Sequence, residues 1–221
     1  MEPLRDYFPF WDALDEEQRT LLASSARRQT YARGDTVYHG GDECLGLLLV
    51  LRGQLRVFTL SDQGKELTLY RLLDRDLCLF SAACVLRGIS FDISVQAEQD
   101  TEALHLPAEV YRRLMDDSAP VANYTNELMA ARFSDVMWLM DQILNRKLDS
   151  RVAALLLEEA ALAGSDALSL THEQLAGHLG SAREVVTRML KYFQSEQLVS
   201  LGRGRVCLLD RAGLNRLANG K

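Results

Sequence analysis

Long apolar runs, paired cysteines and catalytic motifs are all missing from this chain, and each absence excludes something. The run Leu45–Leu51 holds seven residues including Gly46. A membrane span needs roughly 18–20, so no membrane partner is expected. No charged segment leads into an apolar one at the N-terminus, and the expected location is cytoplasmic. Cys44, Cys78, Cys84 and Cys207 are scattered without a C-x-x-C pair. In a reducing compartment that spacing points to free thiols rather than disulfides or zinc ligands. There is no nucleophile elbow, phosphate loop, metal-spaced His/Glu set or carboxylate dyad. His172 and His178 lie six apart, off a common helix face. An enzyme is not expected.

What is present is ordinary in bulk and uneven in charge. The 221 residues are 48% hydrophobic and 25% charged, enough for two globular domains. The net charge is −6, but residues 1–146 carry 15 Lys/Arg against 23 Asp/Glu, whereas residues 147–221 carry 10 against 8. Only the C-terminal part, at +2, suits a polyanion.

Periodicity divides the chain in the same place. Asp15 stands three residues before Gln18, a capping-box spacing, so a short amphipathic helix is expected over Asp15–Ala26 with Leu21 and Leu22 inward. Between Tyr31 and Leu106 the period falls to two. Runs at 45–51, 54–60, 66–73, 91–97 and 102–106 are separated by Gly34-Asp35, Gly40-Gly41-Asp42, Arg52-Gly53 and Asp62-Gln63-Gly64-Lys65. Strands of this length and spacing predict an antiparallel barrel or roll. Pro107–Met115 reads as a short helix with proline at its first position. From Pro120 a long helix carries a heptad seam, Met129, Phe133, Val136, Met140 and Ile143, and a second strip of Tyr124, Leu128, Ala131 and Trp138. One strip suffices for packing on a domain; the other suggests self-association. Asn145–Ser150 is a polar boundary, after which Asp149 is expected to cap a helix ending near Gly164.

The most informative stretch is Leu170–Phe193. Thr171 with Gln174 forms a capping box, Leu175, Ala176 and Leu179 face inward, and Gly180 permits a sharp turn. Ser181 with Glu184 reads as a second capping box, opening a helix buried through Val185 or Val186, Met189, Leu190 and Phe193. Helical spacing puts Arg183, Thr187 and Lys191 on one polar stripe with Glu184 and Arg188 beside it. A second helix in the major groove needs such a stripe: an arginine fork matches guanine O6 and N7, and a carboxylate accepts from the cytosine amino group. Leu198–Leu209 reads as two strands around a Gly202-Arg203-Gly204-Arg205 turn whose arginines suit a phosphate-contacting wing.

The signals Gly34-Asp35-x-x-Tyr38-x-x-Gly41-Asp42, Leu51-Arg52-Gly53-x-Leu55-Arg56-Val57 and Gly64-Lys65-Glu66-Leu67-Thr68-Leu69, followed by that motif, resemble the CRP/FNR superfamily of bacterial transcription regulators. The resemblance covers nearly the whole chain. It implies an α+β fold: an N-terminal antiparallel β-roll of the double-stranded β-helix or jelly-roll type as sensor over 1–118, a long dimerisation helix over 119–146, and a winged helix-turn-helix over 147–221. It implies that Arg183, Glu184 and Arg188 read a TGTGA-like half-site beside Thr187, with Thr171, Ser181, Lys191, Arg203 and Arg205 completing the DNA contact. A homodimer through 120–145 on a palindrome near TGTGA–N6–TCACA follows, with half-sites roughly 34 Å apart. RNA polymerase is a further implied partner.

The sensor end departs from the best-known members. Cyclic-AMP binders carry a Gly-Glu-Leu segment and a later Arg-Ser pair; here stand Asp76-Leu77-Cys78-Leu79-Phe80-Ser81-Ala82 and Phe91-Asp92. The phosphate-neutralising arginine is gone and Asp92 repels phosphate. The effector pocket is expected near Leu77, Cys78, Phe80 and Phe91, with a small-molecule or redox effector whose identity stays open. Residues 1–43 hold no cysteine for an iron–sulfur cluster. Aligned on Cys84, the haem-ligand positions of the carbon-monoxide sensor become Leu79 and Ser81, with Cys78 displaced by one, which in a strand reverses the side chain. Haem stays open without support, and His39 and His105 read as packing or surface residues. A rival reading keeps the roll but gives the C-terminal domain to protein partners. It predicts none of the steep salt dependence that counterion release gives to DNA binding.

Overall fold

The computed structural model describes residues 4–39, 46–79 and 92–220. They divide into two compact units: Met1–Thr59 with Leu69–Val136, and Leu60–Thr68 with Met137–Lys221.

The first unit opens with two 3-10 turns, Leu4–Asp6 and Trp11–Ala13, and helix α1, Glu16–Ser25. The expected capping box is present, with Asp15 accepting from the Gln18 amide at 2.7 Å and the Gln18 side chain answering the Asp15 amide at 3.1 Å. Among the described residues eight strands follow: β1 (Arg27–Tyr31), β2 (Thr36–Tyr38), β3 (Leu47–Arg52), β4 (Leu55–Leu60), β5 (Glu66–Leu72), β6 (Leu77–Cys78), β7 (Ser94–Ala97) and β8 (Thr101–Leu106). They form two four-stranded sheets, ordered β1-β8-β3-β6 and β2-β7-β4-β5, the expected antiparallel roll. Three strands extend the sequence expectation. β1 reads Arg-Arg-Gln-Thr-Tyr and is mostly exposed, so it lacks the apolar alternation that marks a half-buried strand. β2 and β6 are too short to show a period.

The continuous apolar run of β3 has a physical reason. Leu48 and Val50 face the roll interior with Val57, Leu72 and Val95, whereas Leu47, Leu49 and Leu51 pack outward against Phe8, Phe10, Leu22, Tyr111 and Leu114. A strand buried on both faces needs no polar alternate. The outward layer is completed by helices α2 (Ala108–Asp117) and α3 (Ala119–Asn145). Pro107 is the N-cap of α2 rather than its first helical residue. Tyr111 is fully buried, its hydroxyl 2.7 Å from Thr125 Oγ1, and burial pushes its pKa up to about 12.

The second unit contains the tip of the β4–β5 hairpin and the C-terminal segment. Helices α4 (Leu148–Ala163), α5 (His172–Leu179), α6 (Arg183–Ser195) and α7 (Arg211–Ala218) surround a sheet ordered β10-β11-β9, from Val199–Gly202, Arg205–Leu208 and Ala167–Leu168. Their core includes Val152, Leu156, Leu175, Val186, Leu190 and Phe193. At the hairpin tip, Thr68 Oγ1 lies 2.9 Å from His178 Nδ1, and a Cβ on Gly180 would come within 3.0 Å of Leu67 Cδ1.

Two capping expectations are corrected. Lys147, not Asp149, is the N-cap of α4; Asp149 sits in the first turn, accepting from the Ser150 amide at 2.7 Å. The N-cap of α6 is Ala182 with no side-chain bond, so the Ser181–Glu184 capping box is not formed. Gly180 explains the shift. It ends α5 in the left-handed region at φ +61, the Ser181 amide then bonds back to Ala176, and the helix starts one residue later than the spacing suggested.

Gly53 joins β3 to β4 at φ +111, where an added Cβ would stand 2.6 Å from Thr101 Oγ1 and 2.7 Å from the Asp100 carbonyl. Gly64, at φ +73, faces open space. Gly53→Ala is expected to lower stability by about 2–3 kcal/mol and Gly64→Ala by about 1 kcal/mol in urea unfolding. In the C-terminal unit Thr171→Ala should cost about 1 kcal/mol because the capping box is real. Ser181→Ala should leave the midpoint unmoved.

Candidate nucleic-acid interface

α5 starts because Thr171 accepts from the Gln174 amide at 3.2 Å while Gln174 Oε1 receives the Thr171 amide at 2.9 Å. It ends where Gly180 takes a conformation that Cβ-bearing residues adopt at a cost. The short turn launches α6, whose two faces are sharply divided. Val186, Leu190 and Phe193 are 0% exposed, whereas Arg183, Glu184, Arg188 and Lys191 are exposed and Thr187 is half-buried between them. Arg151 of α4 fixes the end of α5 by donating to the Leu179 carbonyl at 2.6 Å. The stripe expected from spacing is therefore outward, and four of its five members are charged.

The remaining expected contacts fall around it. Thr171 is the α5 cap and exposed; Ser181 lies half-buried in the turn. Arg203 and Arg205 are exposed on the β10–β11 hairpin, where Gly204 takes φ +66 and Gly202 pairs with Arg205. Arg183 meets Glu173 at 3.8 Å, but both side chains are well over half exposed. So loose a pair yields readily to a phosphate or a base.

A contact that spacing missed is made by His172, the first residue of α5. Its Nδ1 lies 2.9 Å from Thr187 Oγ1, a link across fifteen residues of sequence. Burial, with Arg183 and Lys191 adding to it, holds the His172 pKa below the usual histidine value. Its signal in sequence was no more than a polar residue at a helix start.

In the roll Leu77 and Cys78 are buried on β6 but belong to different layers, Leu77 with the outward one and Cys78 with the roll interior. Phe80 and Phe91 lie outside the described residues, as do Cys44, Ser81 and Cys84. Asp92 is exposed. Arg132 of α3 was not singled out from sequence. Its guanidinium lies 4.7 Å over the Tyr70 ring, 3.0 Å from Asp135 and 3.8 Å from Asp76. His105 Nε2 lies 2.6 Å from the Tyr31 hydroxyl, and His39 Nδ1 2.9 Å from Ser94 Oγ. Among the described residues no group of three or more His, Cys, Asp and Glu could hold a metal ion, and no helix is long and apolar enough to cross a membrane.

Comparison with known proteins meets this geometry at both ends. Residues 28–118 match the cyclic nucleotide-binding domain, and residues 150–217 match the Crp-like helix-turn-helix domain. The chain is similar to the cyclic AMP receptor protein of Thermus thermophilus, 30% identical and covering 96% of this chain and 97% of that one. It is also similar to the transcriptional activator protein Anr of Pseudomonas protegens, at 26% identity over 95% and 84% of the two chains. A crystal structure of a transcriptional regulator of the CRP/FNR family from Eubacterium rectale superposes with a TM-score of 0.95. It is 52% identical and covers 97% of this chain and 99% of that one. With its cyclic nucleotide-binding-like roll, long helix and DNA-binding helix-turn-helix, the chain belongs to the CRP/FNR family of transcription regulators.

Proposed function

We propose that this regulator binds, as a homodimer, a palindrome with TGTGA-like half-sites, and that an effector other than a cyclic nucleotide acts on its roll. The division of α6 carries the first part. One face is fully buried, so the residues left for a groove are Arg183, Glu184, Thr187, Arg188 and Lys191. Arginine supplies a bidentate fork for guanine and glutamate an acceptor for the cytosine amino group. The base pairs of a TGTGA half-site offer both. Because Glu184 is not engaged in a cap, it is available to a base. Arg203 and Arg205 would contact phosphate from the wing.

Self-association is supported by α3. Phe133, Trp138 and Leu144 are 68%, 61% and 73% exposed, with Met137, Met140 and Ile143 also exposed, on a helix that carries a heptad seam. Met129, Tyr124 and Leu128 of the same helix pack on the roll. An exposed apolar strip of this size marks an interaction site, and a second α3 offers the matching seam. With the two reading helices related by a twofold axis, half-sites one helical turn apart follow. Contact with RNA polymerase belongs to the same proposal.

For the effector, the Thermus relative is named for cyclic AMP, but this chain places an exposed Asp92 where a phosphate-binding pair is expected. Arg132 is already matched by Asp76 and Asp135, which leaves its charge spoken for.

Fluorescence anisotropy with a TGTGA–N6–TCACA duplex tests the DNA reading. The wild-type protein should bind with an affinity that falls steeply with salt. Arg188→Ala should lose about 1–3 kcal/mol and relax preference at one base pair, whereas Arg203→Ala should weaken all duplexes alike. Salt-insensitive binding, or an unaltered base preference in Arg188→Ala, would refute the assignment. For the dimer, Phe133→Glu combined with Met140→Glu should move the sedimentation equilibrium mass to that of one chain. An unchanged dimer mass would place the interface elsewhere.

A further inference from the structure

The His172–Thr187 contact has a consequence for how DNA is read, and it rests on the DNA reading proposed above. A threonine hydroxyl has one proton to donate and lone pairs to accept with. In an isolated helix that proton commonly returns to a carbonyl one turn earlier. Here the hydroxyl of Thr187, central on the polar stripe of α6, lies 2.9 Å from a ring nitrogen on α5. We infer that His172 is a positioning and specificity-determining residue of the DNA-reading surface: its Nδ1 fixes whether the Thr187 hydroxyl presents a base pair with a proton or with a lone pair.

The logic is one of hydrogen-bond polarity. If Nδ1 accepts from Thr187, the threonine oxygen has only lone pairs left, which suit the adenine N6 or cytosine N4 amino group. If Nδ1 carries a proton and donates it, the Thr187 O–H is free for thymine O4 or guanine O6 and N7. A neutral imidazole allows either arrangement through its two tautomers. An imidazolium allows only the second, because both nitrogens then donate.

The surroundings decide the charge state. In the free protein burial disfavours the charged ring, and Arg183 and Lys191 on α6 add like-charge repulsion; Glu173, the next residue on α5, is drawn toward Arg183. Phosphates of a bound duplex reverse the balance, since anions near the ring favour the imidazolium and also engage Arg183 and Lys191. Complex formation therefore takes up a proton at His172, and DNA affinity rises as pH falls through the raised His172 pKa. The other histidine of this helix, His178, is buried against Thr68 at the far end and is left unchanged in the variants below.

The test is a set of duplexes varied one base pair at a time across the half-site, titrated with full-length protein at pH 6 and pH 8. Wild-type protein should favour thymine or guanine at one position several-fold more at pH 6 than at pH 8, approaching the roughly tenfold limit that a one-unit rise in the His172 pKa sets. His172→Phe, which keeps a ring but no nitrogen, should bind DNA with that pH-dependent preference abolished. Thr187→Val should abolish it equally, and the double variant should add nothing further. Thr187→Val, which leaves α5 intact, keeps the test decisive should His172→Phe disturb folding. A preference at that position that does not change with pH, or a pH dependence that survives both single variants, overturns the inference while the DNA reading stands. Absence of salt-sensitive binding by wild-type protein at either pH overturns the DNA reading and this inference together.

Discussion

Everything at the candidate interface depends on the burial of one face of α6. Val186, Leu190 and Phe193 lock the helix against α4, α5 and the β10–β11 sheet, and a helix has only so many faces. Once those three positions are inside, Arg183, Glu184, Arg188 and Lys191 have nowhere to go but outward. The geometry of the outward stripe is thus set by apolar packing, and the polar residues inherit it. Two supports keep the packing in register: the left-handed Gly180, and Arg151 holding the carboxyl end of α5 through the Leu179 carbonyl. A reading side chain displaced by a fraction of a turn would meet the wrong base edge, so precision at the surface derives from the core beneath it.

The roll solves a different problem. Its inner sheet strand β3 is covered on both faces, by the roll interior through Leu48 and Val50 and by the helical layer through Leu47, Leu49 and Leu51. The opposing sheet carries a polar outer face instead, where Arg71 and Gln54 both bond to Glu98 at 2.7 Å and Arg56 lies 4.1 Å over the Phe58 ring. Buried charges of this kind persist only when matched. Arg132 obeys the same rule at the junction of α3 and β6, with two carboxylates and the Tyr70 ring around it.

Legibility in sequence followed the range of the interactions. The capping boxes at Asp15 and Thr171, the Gly164 and Gly180 helix ends and the apolar face of α6 are local signals within four residues, and all are found where spacing put them. Local signals also misled. Ser181 and Glu184 have the spacing of a capping box, but the turn geometry imposed by Gly180 pushes the N-cap onward to Ala182. Asp149 falls two residues past the α4 N-cap, Lys147. What could not be read at all was long in range. β1 pairs with β8 across seventy-odd residues without an apolar pattern of its own, and His172 meets Thr187 only because α5 and α6 pack together. The surroundings of Arg132 are illegible for a chemical reason: residues such as Arg132 and Tyr70 acquire their character from each other, not from any spacing.

An acidic chain that binds a polyanion invites an electrostatic question. Screening at physiological salt limits the reach of surface charge to about 8 Å. The excess of Asp and Glu before residue 147 therefore acts on DNA only where it comes that close, whereas under the proposed reading the cations of α6 and the β10–β11 turn would act at contact. With +2 over residues 147–221, the non-specific attraction is weak compared with that of a strongly basic domain. A larger share of the binding energy must then come from base-edge contacts, which raises the ratio of specific to non-specific affinity. Low positive charge in this domain thus favours discrimination over grip, and it makes the orientation of each polar group on α6, Thr187 included, matter more than it would on a basic surface.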